Sequence, residues 1–366
     1  MDEKKVKILN VSKDKNGGIP CVIKNLLKFF NDSSVIYLSD SSDINVLKQY
    51  LYLKGKFKKN FKLYQLFHFH GAWTLHFLLL NQKLKKPVLV SPHGALDKTS
   101  LNKSKLKKLV AKFLFMKKAY LNADCIHALT VKEANDIKDF GIINIPIAII
   151  PNGIDLKEEI TINAVLKQKL KNIVNNRKLI LSLSRLDSSK GINILIDAFE
   201  RLHKADTNCV LFIVGDGSFK YTNSLKKLII SKSLQDNVYL LGKMEGDDKS
   251  TVFDMADIFI SPSFNEGFGL TVIEAYRQKT PVIASTATPF EKIEELQCGW
   301  YIEPNTEEIL IALQSALKLS SVELNTMGEI GYDWVEKNYS MEIINNKMDN
   351  LYRWMLSGKN KPDFII

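Results

Sequence analysis

Short apolar runs alternate along this chain with longer segments whose apolar positions recur every three or four residues. Runs of four to eight apolar residues bounded by turn formers predict strands buried on both faces, and the 3.6-residue period predicts helices laid over them. The expected strands are Val6 to Val11, Val35 to Leu38, Leu63 to Phe69, Pro87 to Ser91, Cys125 to Thr130 and Ile147 to Ile150 in the first half. In the second half they are Lys178 to Ser184, Cys209 to Val214, Val238 to Leu241, Ile258 to Ser261 and Pro281 to Ala284. Parallel sheets wrapped by helices, an α/β chain without tandem repeats, follow from this order.

The alternation breaks after the turn Pro151 to Asp155, where a polar, helix-like stretch runs over residues 156–176. A chain of 366 residues exceeds what one core usually holds. We therefore expect a first domain over 1–155, a linker and hinge over 156–176, a second domain over 177–340, and a helix with a tail over 341–366. Glu323 to Asn338 and Met341 to Leu356 read as the last two helices, the second ending near Gly358.

Composition adds three constraints. Cys21, Cys125, Cys209 and Cys298 lie far apart without a C-x-x-C pair, which argues against a zinc knuckle, a redox pair or a disulfide scaffold and fits a reducing cytoplasm. The N-terminal MDEKKVKILNV passes from charges straight into a strand pattern, without the apolar stretch of a signal peptide or a membrane span. The net charge of +11 is unevenly distributed: residues 1–150 hold 26 Lys, no Arg and 11 acidic residues, while the remainder holds 25 basic and 29 acidic ones. A basic field attracts nucleic acid, anionic lipid or acidic substrates.

The candidate chemistry lies mostly in the acidic half. Arg185 and Lys190 stand in LSRLDSSKG, and Glu266 and Glu274 stand eight residues apart in NEGFGLTVIEA, about two helical turns. Between the glutamates, Gly267, Phe268 and Gly269 open a predicted helix. Glycines there let backbone N–H groups of Phe268, Gly269 and Leu270 approach an anion at a helix N-terminus, a carboxylate one or two turns on can accept from ribose hydroxyls, and the two cations supply positive charge. The layout suits a nucleoside diphosphate. Glu274, between Ile273 and Ala275 in a mostly apolar helix, needs a polar partner.

With the Gly17-Gly18 loop, the SPHG around His93, and the GDG at Gly215, Asp216 and Gly217, these motifs follow one another in an order that resembles the retaining glycosyltransferases of family 4 over nearly the whole chain. The resemblance implies the GT-B fold, two facing Rossmann-like domains with a central cleft and a C-terminal helix crossing back to the first domain. Tyr352 and Trp354 either anchor that helix or simply fill a core.

The resemblance also assigns roles. Arg185 and Lys190 contact the diphosphate and neutralise charge on the leaving nucleotide, side chains standing where other enzymes use a metal. No D-x-D motif stands where a metal-dependent transferase carries it, and no cofactor is expected beyond the nucleotide-sugar donor itself. Glu266 faces the donor sugar and Glu274 the ribose. The loops at Gly215 to Gly217 and at Gly242 border the nucleotide, or are plain turns after buried strands. Gly17 and Gly18 face the donor phosphates across the cleft, or form a plain β-to-α turn with Pro20 at the first helical position. His93 contacts the donor sugar near the reacting carbon, through its side chain or its backbone carbonyl, and serves in positioning and charge stabilisation rather than as a general base.

His68 and His70 alternate onto one face of their strand, but no third ligand at suitable spacing supports a metal site. His70, at the strand end before Gly71, borders the acceptor. Between Asp97 and Asp124 no acidic residue occurs, whereas lysines including Lys105, Lys108 and Lys112 recur opposite an apolar stripe of Leu106, Leu109, Val110, Phe113 and Leu114. Such a helix either shows a solvated basic face or lies on anionic lipid. The second reading makes the acceptor a glycan or a lipid-linked glycan of bacterial surface polysaccharide (lipopolysaccharide, O-antigen or capsule), and places the protein in the cytoplasm and peripherally on the inner face of the membrane.

Two other classes compete. A nucleotide-sugar epimerase on the same fold needs ring-directed catalytic carboxylates, and these motifs match the transferase pattern better. A nucleic-acid-binding protein is disfavoured by the absence of Arg from residues 1–150 and of any RNA-binding motif, so no nucleic-acid partner is expected.

Overall fold

The structure, a computed structural model, describes residues 6–12, 18–30, 33–37, 46–71, 75–80, 83–97, 116–205 and 208–366. Gly17, Lys105, Lys108 and Lys112, with the rest of the expected basic helix before residue 116, lie outside the described residues. The elements run in chain order as β1 (Ile8–Ser12), α1 (Gly18–Phe29), β2 (Ser34–Tyr37), α2 (Val46–Asn60), β3 (Leu66–His70), β4 (Val88–Ser91), α3 (Lys117–Leu121), β5 (Cys125–Ala128), α4 (Val131–Asp139) and β6 (Ile147–Ile149). They continue as α5 (Ala164–Val174), β7 (Lys178–Leu183), α6 (Ile192–Ala205), β8 (Cys209–Val214), α7 (Phe219–Ser231), β9 (Val238–Gly242), α8 (Gly246–Met255), β10 (Ile258–Ser261) and α9 (Leu270–Arg277). Last come β11 (Val282–Ser285), α10 (Lys292–Glu295), β12 (Gly299–Ile302), α11 (Thr306–Lys318), α12 (Ser321–Tyr339) and α13 (Met341–Ser357).

The chain divides into two compact units, one formed by Met1–Asp155 with Met341–Ile366 and the other by Leu156–Ser340. Each holds a six-stranded parallel sheet, ordered β2-β1-β3-β4-β5-β6 in the first and β12-β11-β10-β7-β8-β9 in the second. This is the α/β architecture of the GT-B fold. Strands such as β8 (CVLFIV) are buried at every position, as sheets covered on both faces require.

Local chemistry explains where elements differ from expectation. β3 begins at Leu66 rather than Leu63, because Leu63 closes the turn after α2 through its N–H to the Asn60 carbonyl and stays exposed. β5 stops at Ala128 because Thr130 turns out of the strand to cap α4, its hydroxyl accepting from Glu133 N–H at 2.9 Å. Pro20 is the third helical residue of α1, not the first. β12 was not expected, since GWYI is short and only its ends are buried. The stretch expected as a linker lies in the second unit: Asn163 caps α5, and its side-chain amide also donates to Asp248 at 2.8 Å.

In the first unit α13 lies on the sheet face formed by Ile8, Leu66, Leu89 and Cys125, burying Ile344, Met348, Leu351 and Tyr352. Tyr352 both fills core and anchors, because its hydroxyl reaches His68 Nδ1 at 2.9 Å. Trp354 is only partly buried against this cluster. The last residues add an antiparallel bridge, Ala148 with Ile365, to the edge strand β6. Among the described residues no helix is long and apolar enough to cross a membrane.

Candidate active site

Each sheet reverses its strand order once, between β1 and β3 in the first unit and between β7 and β10 in the second. The carboxyl ends beside such a reversal are where open α/β sheets bind ligands. The described residues singled out for the nucleotide or the donor sugar lie at or beyond the carboxyl end of a strand of one of these sheets, Gly242 as the last residue of β9 and Glu274 on the helix α9.

In the second unit the chain leaves β7 through Arg185 and a 3-10 turn, Ser188–Lys190, capped by Asp187. Arg185 is exposed, with Nη1 3.3 Å from Asp187 Oδ2. Its loop rests on the GDG loop: Leu186 N–H donates to the Asp216 carbonyl at 2.7 Å, and Leu186 forms a parallel bridge with Gly217. A Cβ at Gly215 would stand 1.8 Å from the Ser184 carbonyl oxygen, and one at Gly217 would stand 2.0 Å from that of Leu186. These glycines therefore have a packing reason to be glycines: they let the Arg185 loop lie flat. Gly215 N–H in turn donates to the Gly242 carbonyl at 2.8 Å, which ties in the loop after β9.

Lys190 is buried, and its Nζ donates to Glu266 Oε1 at 2.7 Å while Ser263 Oγ donates to the same oxygen at 3.0 Å. The loops after β7 and β10 are further joined by Phe264 N–H to the Ser189 carbonyl at 2.8 Å. Gly269, in the left-handed region at φ 91°, precedes α9 and offers no side-chain cap, while its carbonyl accepts from Val272 N–H at 3.0 Å, which leaves Leu270 N–H without a capping side chain. Phe268 is buried edge-on against Phe290. Glu274 finds its partner within the protein: Lys249 Nζ from α8 lies 2.7 Å from each carboxylate oxygen and donates to Oε1.

In the first unit, neighbouring strands pair His68 with Leu89 and His70 with Ser91, so one sheet face is apolar near the strand starts and polar at their carboxyl ends. Asn10, His68, His70, Ser91 and His127 form that polar end, all buried. Their hydrogen bonds determine one another. His127 Nε2 meets the Ile150 carbonyl at 2.7 Å and must donate, so its Nδ1 accepts from Ser91 Oγ at 2.8 Å. Ser91 then accepts from His68 Nε2 at 2.7 Å, and His68 Nδ1 accepts from Tyr352.

A second chain starts at Asn10, whose amide nitrogen donates to the Ser34 carbonyl at 3.3 Å and whose Oδ1 accepts from His70 Nε2 at 3.0 Å. His70 Nδ1 then accepts from His93 Nε2 at 3.0 Å, leaving the lone pair of His93 on Nδ1. All these assignments need neutral rings. Burial lowers His68 well below the usual histidine range, and takes His93 to about 3 and His127 to about 4. For His93 the neighbouring His127 lowers it further. His70, expected at the acceptor, is buried with both ring nitrogens engaged. His68 and His70 stack at 3.8 Å between centroids, and among the described residues no three His, Cys, Asp or Glu side chains gather as a metal ion would need. Gly18 opens α1 close after β1.

His93 sits at φ 55° and Gly94 at φ 75°, two consecutive left-handed residues. The buried Glu133 carboxylate spans this turn, accepting Gly94 N–H at Oε1 (2.6 Å) and Leu129 N–H at Oε2 (2.7 Å). Sequence reasoning missed Glu133, Asn10, Ser91, His127 and Lys249. Polar residues in apolar strands were the available clue for three of them; Lys249 carried none, because its partner is on another helix.

Residues 28–158 match the family described as Glycosyltransferase Family 4, and residues 166–334 match Glycosyl transferases group 1. An O-antigen biosynthesis glycosyltransferase of Escherichia coli is 25% identical over 84% of this chain and 88% of its own length. The alpha-monoglucosyldiacylglycerol synthase of Acholeplasma laidlawii is 29% identical over 58% of this chain. The chain spans 54% of that synthase and 32% of its Streptococcus pneumoniae counterpart. Among solved structures, the Anabaena protein HepE in complex with UDP and glucose superimposes with a TM-score of 0.77 at 18% identity, covering 95% of this chain and 99% of HepE. Sucrose-phosphate synthase from Thermosynechococcus elongatus superimposes at 0.75 with 19% identity, covering 97% and 100%.

Proposed function

The chain belongs to the family 4, group 1 glycosyltransferases, and from that premise we propose that it moves a sugar, with retention and without a metal ion, from a nucleoside-diphosphate donor to a glycan or lipid-linked acceptor of the bacterial surface. The observation that carries this reading is the Lys190–Glu266 pair beside Arg185 at the strand-order reversal of the second unit. Two cations there meet the charge that gathers on a departing diphosphate; Lys190, already held by Glu266, needs little reorganisation, whereas the exposed Arg185 is free to close on the phosphates. Glu266 faces the donor sugar, the first-turn N–H groups at Leu270 take phosphate oxygens, and Glu274, held by Lys249, serves the ribose. His93 stands beside the sugar as a neutral ring. The acceptor hydroxyl attacks from the face the nucleotide leaves, and the phosphate takes its proton.

The acceptor class rests on chemistry and kinship together. Relatives include an O-antigen transferase and diacylglycerol glucosylating enzymes. In the first unit, α2 carries Lys54, Lys56, Lys58 and Lys59 and leaves Leu51 55% exposed, a basic surface with an apolar residue that suits anionic lipid at the inner face of the membrane.

A thermal-shift screen with UDP, GDP, ADP and their sugar conjugates, with and without EDTA, tests the donor site. A ligand at 100 times its Kd raises stability by about 2.7 kcal/mol. One nucleotide giving an EDTA-insensitive shift is the expected result, and none giving a shift removes the donor assignment. Cosedimentation with phosphatidylglycerol vesicles but not phosphatidylcholine vesicles is expected for the membrane.

A further inference from the structure

We propose that Glu133 is a positioning residue for His93, fixing the imidazole beside the donor sugar by clamping the left-handed turn that carries it. The inference rests on the reading of His93 given above. Two consecutive residues at positive φ, one of them not glycine, are sparsely populated unless surrounding structure over-determines them. Here the determinant is a single carboxylate from the first turn of α4. One oxygen holds Gly94 N–H, the other holds Leu129 N–H, and the backbone N–H of Glu133 is held by Thr130, so the carboxylate links the loop after β4 to the start of α4. His93 is thus held through its ring by His70, while Glu133 holds the N–H of Gly94, the residue that follows it in the turn.

The clamp requires a carboxylate rather than any polar group. Both oxygens accept, so protonating one, or replacing it with an amide NH2, sets a donor against an N–H donor. Burial raises the Glu133 carboxyl to about 7, against the lowering effect of its two backbone hydrogen bonds. The groups facing it are Asp97 from the His93 loop, Asp136 from α4 and Tyr120 from α3, and the two aspartates push it further upward. No described cation pairs with it. The clamp is therefore closed above about pH 7 and loosens below.

The test uses the full chain with 15N-labelled histidine, following the His93 ring resonances from pH 5.5 to 8.5, assigned by their loss in His93→Gln. In the wild type they should shift with a midpoint near 7 although His93 itself stays neutral, and protection of the Gly94 amide, after correction for intrinsic exchange, should fall on the acid side. In Glu133→Gln the midpoint should vanish and Gly94 exchange fast throughout. If that variant fails to fold by circular dichroism, Glu133→Asp, a methylene too short to span both loops, replaces it with the same expectation. Identical His93 titrations in wild type and variant overturn the proposal.

A kinetic arm, release of UDP from UDP-glucose or GDP from GDP-mannose, should show turnover reduced on the order of tenfold or more with donor KM little changed, and the acid limb of the pH profile gone. Unchanged turnover and pH profile in the variant also overturn it. A wild type without turnover on any donor removes the transferase reading, while the ring spectra still decide the clamp.

Discussion

Lys190 Nζ and Glu266 Oε1 lie 2.7 Å apart, joining loops 76 residues distant across the reversal between β7 and β10. Both side chains are mostly buried, at 11% and 14% exposure, so the pair is screened little by salt and forms a preset element of charge rather than a surface contact. Gly191 makes the approach possible: a Cβ there would stand 2.1 Å from the Pro262 carbonyl oxygen. In the proposed donor site a diphosphate would meet a lysine already held in place, with Glu266 as its present counter-charge.

Lys190→Ala should lower turnover by roughly two to three orders of magnitude, as loss of one preset charge stabiliser does, with a smaller change in nucleotide Kd. It also strands a buried carboxylate, at a cost of roughly 3 kcal/mol in stability. Lys190→Ala with Glu266→Gln should regain part of that stability in urea titration but none of the turnover. Near-wild-type turnover in the single variant refutes the role.

Glu274→Ala should weaken nucleotide binding, and because Lys249 donates to Glu274 Oε1 and pairs with the carboxylate's charge, Lys249→Ala should weaken it in the same direction. The double variant should cost less than the sum of the singles, with a coupling of about 1 kcal/mol between partly exposed partners. Isothermal titration with the nucleotide selected by thermal shift measures all four corners of the cycle. Additive losses separate the lysine from the site.

Gly215→Ala tests whether the GDG loop acts through position alone. The added methyl meets the Ser184 carbonyl oxygen at 1.8 Å, and φ there is 143°. The loop after β7 must move, taking Arg185 with it. Nucleotide affinity should fall although no contacting side chain changes, and stability should fall by about 2 kcal/mol or more. Binding unaltered in a folded variant shows the close approach to be dispensable.

The architecture could be read from periodicity because strands buried on both faces leave apolar runs that need no partner to be recognised, as in Cys209 to Val214, expected and found over the same residues. β12 escaped because its central Trp300 and Tyr301 are only partly buried, so its four residues carry no such run. The second unit's charged residues could be listed in advance, but not their pairing: Glu274 visibly needed a partner, and only folding brings α8 and its Lys249 to it. The histidine network was hidden for the opposite reason. His68 shares β3 with His70 and His127 interrupts β5 alone, and nothing in their spacing shows that Ser91 lies between His68 and His127.

That network makes the first unit acid-labile. His68, His93 and His127 are held far below their ordinary value of 6.5, so above it they are neutral in both folded and unfolded chains and contribute no difference. As pH falls through 6.5 the unfolded chain binds protons the native rings refuse, and stability is lost at about 2 kcal/mol per histidine by pH 5. Glu133 opposes this. Its native carboxyl stays protonated up to about 7 while the unfolded one releases its proton above 4.5, so acidification across that window favours the native state by a similar amount. Three histidines against one carboxyl leave a net loss of about 4 kcal/mol between pH 7.5 and 5. Native-state hydrogen exchange, read separately on peptides from β3 to β5 and from β7 to β10, should show protection falling on acidification in the first set after correction for intrinsic exchange, and much less in the second. Equal protection at both pH values in the first unit means the rings are charged there, and the directed chain from Tyr352 to Ile150 is then wrongly drawn.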